Sequence, residues 1–253
     1  MSDSPPVAPG RFIRYALVFL PLGLIITSII SFGIWWTKKQ SVEERSYAYA
    51  TALRSEMTLP SLERYTGILR EVMQPQGLER LSAVASFIDS SMSAENMGYA
   101  PKRDRFFDGG LEQSNVYVEL TGKQRPYEVR LILVPYGAQG RGDVEIQALA
   151  GMMSLGHALA GARGDTTLRM AAVPLGVKDP SGRNALERLA ASMLDRQERI
   201  MQVTVLGGVD GPLLEEVKKV FKTSQTGTVI ESLPATLTHE ETLKSMTGLK
   251  ARF

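Results

Sequence analysis

The chain has no cysteine, which excludes disulfides, thiolate metal sites and cysteine nucleophiles. It has only two histidines, His157 and His239, so a site built from several imidazoles is out of reach. No Asn-x-Ser/Thr triplet occurs, so N-glycosylation is not expected. Charge of one sign is also scarce: 29 Lys+Arg stand against 27 Asp+Glu over 253 residues, and nothing in that balance points to nucleic acid. Cysteine absence leaves the compartment open, because many exported proteins also lack it.

One long apolar run is present. "YALVFLPLGLIITSIISFGIWWT", from Tyr15 to Thr37, contains no charged residue, and about 20 apolar residues in a helix cross the hydrocarbon core of a bilayer. Arg11 and Arg14 flank one end and Lys38 and Lys39 the other, with Tyr15, Trp35 and Trp36 where interfacial aromatics belong. Signal-peptide cores are shorter and end at small residues, whereas this run ends in "FGIWWTKK". It reads as a retained single-pass anchor, transmembrane over 15–37, after a turn-rich disordered tail at 1–14. Gly23, Thr27, Ser28 and Ser31 place small or polar side chains at helical spacing, a pattern that lets membrane helices approach one another. Basic residues at both ends leave the positive-inside vote weak.

The remainder reads as a juxtamembrane helix over 38–59, stopping before Pro60, and one domain over 60–253. "SLERYTGILREVM" and "GLERLSAVASFIDSSMSAENMGY" carry apolar residues at helical spacing. "APKRDRFFDGGLEQS" is polar and turn-rich and reads as an exposed connection. "NVYVELT" then alternates, "GKQRPYE" turns, and "VRLILVP" is a more buried strand, together an antiparallel hairpin. "LRMAAV" and "MQVTVL" are further strands, separated by the helix "SGRNALERLAASMLDRQERI". Pro212 suits a first helical position, Thr238 and Glu241 are spaced as a capping box, and Gly248 suits the stop of that last helix. Strands alternating with helices predict an α/β fold, a three-layer sandwich with a mixed, mostly parallel central sheet.

The junction "VRLILVPYGAQGRGDVEIQALAGMMSLGHALA" has the outline of an active site: an apolar strand, a glycine-rich loop with acids, and a helix of small and apolar residues. No Lys-Ser/Thr follows "GAQGRGD" at P-loop spacing, Arg141-Gly142-Asp143 spells an integrin tripeptide that short sequences produce by chance, and Ser154 and Ser181 lack a base and acid set. His157 falls within a helix, where packing or a surface position is the plainer reading, and His239 begins a capped helix.

From about Ser61 to Leu206, the order of "NVYVELTGKQRPYEVRLILVPYG", the loop and helix, "TTLRMAAVPLG" and "RIMQVTVLGG" resembles the di-zinc aminopeptidase superfamily, which includes glutaminyl cyclases and the transferrin-receptor ectodomain. The resemblance implies a zinc-aminopeptidase-like fold. It also implies ligands at particular places, and this chain departs from them. The first His position holds Pro135 and its Asp partner Gly137. The bridging Asp falls on Val144, with Asp143 one place before it and Glu145 at the Asn. The Glu-Glu pair becomes Gly176-Val177 and the later Asp becomes Leu206, leaving His239 as the one matching residue type. Two zincs need several imidazoles and carboxylates in one pocket, so neither zinc nor any other cofactor is expected. Members without zinc ligands include the membrane-anchored attachment subunit of the GPI transamidase, which "SNVYVEL" followed by "LILVPYG" resembles.

The expected function is therefore that of a single-pass pseudoenzyme. Its partners are the lipid bilayer and other subunits of a membrane protein complex, and its domain lies outside the cytoplasm at the cell or endoplasmic reticulum membrane. A mixed-charge rim of Tyr136, Arg141, Asp143, Glu145, Lys178 and Asp179 is the candidate protein contact. The alternatives are a divergent membrane-anchored metallo-aminopeptidase and a receptor that binds a peptide or small ligand in the vestigial cleft.

Overall fold

Three helices, three consecutive strands and then helices alternating with three more strands make up the computed structural model, which describes residues 9–108, 110–137, 142–175, 182–207, 212–224, 227–233 and 238–253. The strands are β1 (Lys102–Asp108), β2 (Leu111–Leu120), β3 (Arg125–Tyr136), β4 (Thr166–Pro174), β5 (Arg199–Leu206) and β6 (Val229–Leu233). The helices are α1 (Pro9–Leu53), α2 (Leu59–Val72), α3 (Gly77–Ser91), α4 (Gly142–Leu159), α5 (Arg183–Asp195), α6 (Pro212–Ser224) and α7 (His239–Lys250). Contacts divide the chain into two units, Met1–Ser46 and Tyr47–Phe253.

The first unit holds most of α1. Among the described residues it contains the one helix long and apolar enough to cross a membrane. Leu24, Ile25, Ile29, Phe32 and Trp35 are all exposed, as residues that face lipid would be. Pro21 lies inside the helix. The sequence division at 37/38 has no counterpart in backbone structure, because α1 runs on unbroken to Leu53. Part of the expected tail, from Pro9 to Arg14, is already helical.

In the second unit the sheet order is β1-β2-β4-β3-β5-β6, an α/β arrangement with a mixed, mostly parallel sheet as expected. β4, β3, β5 and β6 are mutually parallel, while β2 runs antiparallel to both β1 and β4. Strand side chains alternate between faces, and on β3 the alternation separates two cores. Ile132, Val134 and Tyr136 join a cluster with residues of α2, α3, α4 and α7. Val129, Leu131 and Leu133 join another with residues of α5 and α6. Three layers result.

Several details depart from the sequence reading. β2 and β3 do not form a hairpin: β4 lies between them, and the antiparallel pair is β1–β2. "KRDRFFD" is a strand, not a connection, although its edge position leaves Phe107 76% exposed. Pro60 opens α2 instead of following a helix, in a capping box where Thr58 and Ser61 exchange backbone bonds. Gly248 sits within α7, which continues to Lys250. Thr238 does cap α7, accepting from the Glu241 N–H. On α4 the small residues admit neighbours: a Cβ on Gly151 would press on Thr242 and Met246 of α7, and one on Gly156 would lie 2.6 Å from Met92 Cε.

Candidate functional site

The carboxyl ends of β3, β4 and β5 point the same way, which is where open α/β sheets place their ligands. β3 ends at Tyr136 and Gly137, β4 at Pro174, and β5 at Leu206. α4 starts at Gly142 and presents Asp143 and Glu145 in its first turn.

Gly137 governs the local geometry. It has φ +86°, a conformation L side chains rarely adopt, and a Cβ built there would stand 2.1 Å from Leu81 Cδ2. Leu81, on α3, is itself only 4% exposed and belongs to the core cluster, but it also lines a cavity beside β1 and β2, so it would have to turn out of its packing to relieve the contact. The Gly137 N–H donates to Glu145 Oε1, and Arg80 Nη2 lies 3.6 Å from Glu145 Oε2. Glu145 is buried, and a carboxylate out of water needs such partners. Its charge at the head of α4 also suits the helix dipole. Glu145 is thus committed to tying α3, β3 and α4 together.

Tyr136 is a core residue at 1% exposure, and its hydroxyl donates to the Ser114 carbonyl at 2.5 Å. Burial pushes its phenol well above the ordinary range; the Ser114 bond and Arg103 oppose this and Glu145 adds to it. Of the expected contact rim, Tyr136 and Glu145 are therefore not available to a partner. The strand's period and the helix's first turn bring both under α3, where only side-chain length and long-range pairing decide which atoms see water. Asp143 is exposed, 3.7 Å from an equally exposed Arg70. Arg141, Lys178 and Asp179 lie outside the described residues, as do Gly176 and Val177.

Both histidines are engaged in packing contacts. His157 Nδ1 is 3.1 Å from the Tyr65 hydroxyl. Burial is the main cause that holds its imidazole below its usual range, helped by Arg64 and opposed by the Leu53 carbonyl. His239 Nε2 lies 3.1 Å from Thr66 Oγ1 and 3.4 Å from Gln147 Nε2. Among the described residues no three His, Asp or Glu side chains converge as a metal site would require.

A polar group the sequence reading passed over lies on β2 and β4, away from these strand ends. Arg169 is fully buried, 2.5 Å from Glu119 and 2.7 Å from Glu198. Arg196 and Lys102 also reach Glu119, at 3.1 and 2.8 Å. All three cations lie within 5.8 Å of the Tyr117 ring centroid. Burial alone would raise the Glu119 carboxyl, but Arg169, Lys102 and Arg196 outweigh it and hold Glu119 below the usual carboxylate range. An arginine inside "LRMAAV" was the only sequence signal.

In the first unit, a Cβ built on Gly23 would meet nothing within 4 Å, and the Thr27 and Ser28 hydroxyls donate back to the carbonyls of Gly23 and Leu24. Ser31, like them, is exposed.

No protein-family model matches the chain, and no curated protein matches it in sequence. Solved structures similar to it include a glutaminyl cyclase from Fimbriiglobus ruber, with TM-score 0.48, 11% identity, 60% of this chain and 62% of that one covered. LapB from Legionella pneumophila gives 0.47 and 11% over 79% and 62%. A leucine aminopeptidase precursor from Bacteroides thetaiotaomicron gives 0.48 and 8% over 78% and 84%. The chain therefore spans 62% of the length of the first two. These are weak likenesses of fold, and no activity is taken from them.

Proposed function

We propose that this chain is a single-pass membrane protein whose α/β domain is a non-catalytic relative of the di-zinc aminopeptidases, acting as an interaction and assembly module in a membrane protein complex. Gly137 is the observation that carries the reading. The sequence resemblance puts a zinc-ligand Asp at this position, and here a side chain would meet both an unfavourable φ and the buried Leu81. A zinc pair does not fit the neighbouring residues either. Pro135 offers no donor, Glu145 is engaged by the Gly137 N–H and Arg80, and His239 packs on Thr66 and Gln147. The mode of action follows the resemblance to the GPI transamidase attachment subunit, without its pathway.

In this reading α1 anchors the chain at the cell or endoplasmic reticulum membrane. The N-terminus is cytoplasmic and the domain extracytoplasmic, because related domains lie outside the cytoplasm. The contact surfaces are the exposed Asp143 with Arg141, Lys178 and Asp179, together with the span face of Gly23, Thr27, Ser28 and Ser31. Replacing the span by an unrelated one should dissociate the complex isolated in mild detergent, while the domain keeps its melting temperature. An unchanged complex from both the swapped span and an Asp143→Lys variant would place the contact elsewhere and defeat this assignment. Cysteines introduced at Ser4 and at the exposed Lys123 report topology through a membrane-impermeant reagent on intact cells. Labelling is expected at 123 alone, and labelling at 4 alone would reverse the orientation.

A further inference from the structure

We propose that a cavity between α3 and the β1–β2 hairpin is a binding site for a small oxyanion, a carboxylate or phosphate group, held by Arg103 and Arg105. This site is separate from the surfaces assigned to assembly. The cavity has a volume of about 290 Å³, and its lining includes Ser82 of α3, Arg103 and Arg105 of β1, Glu112 and Ser114 of β2, and Tyr136 of β3. Ligand pockets begin at about that size, so a small occupant is implied.

The two arginines differ in a way that suits capture of an anion. Arg103 is fixed: its Nη2 lies 2.9 Å from Asp89 and donates to the Ala85 carbonyl at 3.3 Å. Its side chain keeps 25% of its surface exposed, and it is among the residues that line the cavity. Arg105 is loosely held, 3.4 Å from Glu112, with side-chain exposures of 66% and 52%. An exposed pair at that distance contributes little and is readily exchanged for a better partner. A guanidinium offers a planar fork that matches carboxylate and phosphate oxygens. Tyr136 gives its proton to Ser114, so its hydroxyl is not a rival donor to the arginines. Glu112 therefore acts as an internal competitor that an incoming oxyanion displaces from Arg105.

That competition supplies the test. The full-length protein in mild detergent is titrated calorimetrically with inorganic phosphate and, separately, with acetate, at constant ionic strength. One saturable site is expected for at least one anion, and the tighter of the two identifies the chemistry as phosphate or carboxylate. Arg105→Gln should weaken it by roughly tenfold or more, the loss of one charge-assisted contact. Glu112→Gln should tighten it, because Arg105 is no longer shared. Both residues are more than half exposed, so neither change endangers the fold. Absence of saturable binding for both anions, or an unchanged half-saturation in Arg105→Gln, would overturn the proposal. Weaker binding in Glu112→Gln would overturn it equally.

Discussion

Placing an aspartate at position 137 should damage the domain. The φ of +86° costs a non-glycine residue about 1–3 kcal/mol. A Cβ built 2.1 Å from Leu81 Cδ2 forces that side chain or the backbone to shift, and overpacking of this kind costs about 1–3 kcal/mol more. Relief requires Leu81 to leave its place in the core cluster and turn toward the cavity it also lines. Gly137→Ala should therefore lose about 2–6 kcal/mol in all. Gly137→Asp should lose more, since a second carboxylate arrives beside Glu145, whose Oε1 already accepts from the residue-137 N–H. For a domain of this size each kcal/mol lowers Tm by about 2–4 °C. Differential scanning calorimetry of the full chain in detergent should then show Gly137→Ala melting roughly 4–24 °C below the parent. A fall of less than ~2 °C for both variants would mean that the strand end tolerates a side chain. The reading that position 137 excludes a side chain would then fail.

Two further expectations concern pH. The Glu119 carboxyl is depressed in the folded state by Arg169, Lys102 and Arg196 against the opposing effect of burial. Its stabilisation is thus fully present above its unfolded value of 4.5 and is lost as pH falls through the lower folded value. Glu119→Gln should destabilise at pH 7 and converge with the parent only as pH falls through the folded Glu119 value, which lies below 4.5, checked by urea unfolding across that range; a pH-independent difference would refute it. His157, held below the usual imidazole value of 6.5 chiefly by burial, favours folding while neutral. Stability should decline as pH falls below 6.5, and His157→Gln should flatten that slope. An identical slope in the variant would assign the effect to another group.

The sequence made some of this visible and hid the rest for identifiable reasons. The apolar run, the paired helices before the sheet and the buried strands showed plainly, because length and period are local properties. "KRDRFFD" did not, because an edge strand can be charged on its open side and bury little beyond Phe106 and Asp108. The β2–β3 hairpin was misread because a tight polar turn between two strands does not reveal that β4, from thirty residues further on, pairs between them. At the candidate site, the residue types at Pro135 and Gly137 were legible, but the close fit of position 137 against Leu81 was not, since Leu81 comes from a helix far earlier in the chain. Tyr136 and Glu145 were expected on a rim for the same reason: their partners Ser114, Arg80 and Gly137 are brought together by the fold. Arg169 and its two glutamates form a buried network that no local pattern announces.

The most direct measurement of the central claim is the zinc content of the intact chain, purified in mild detergent from zinc-supplemented cells and assayed in parallel for aminopeptidase activity. The expected result is no stoichiometric zinc and no hydrolysis, with activity not restored by added metal. One or two zincs per chain, removable by a chelator together with aminopeptidase activity, would contradict it and make this a membrane-anchored hydrolase.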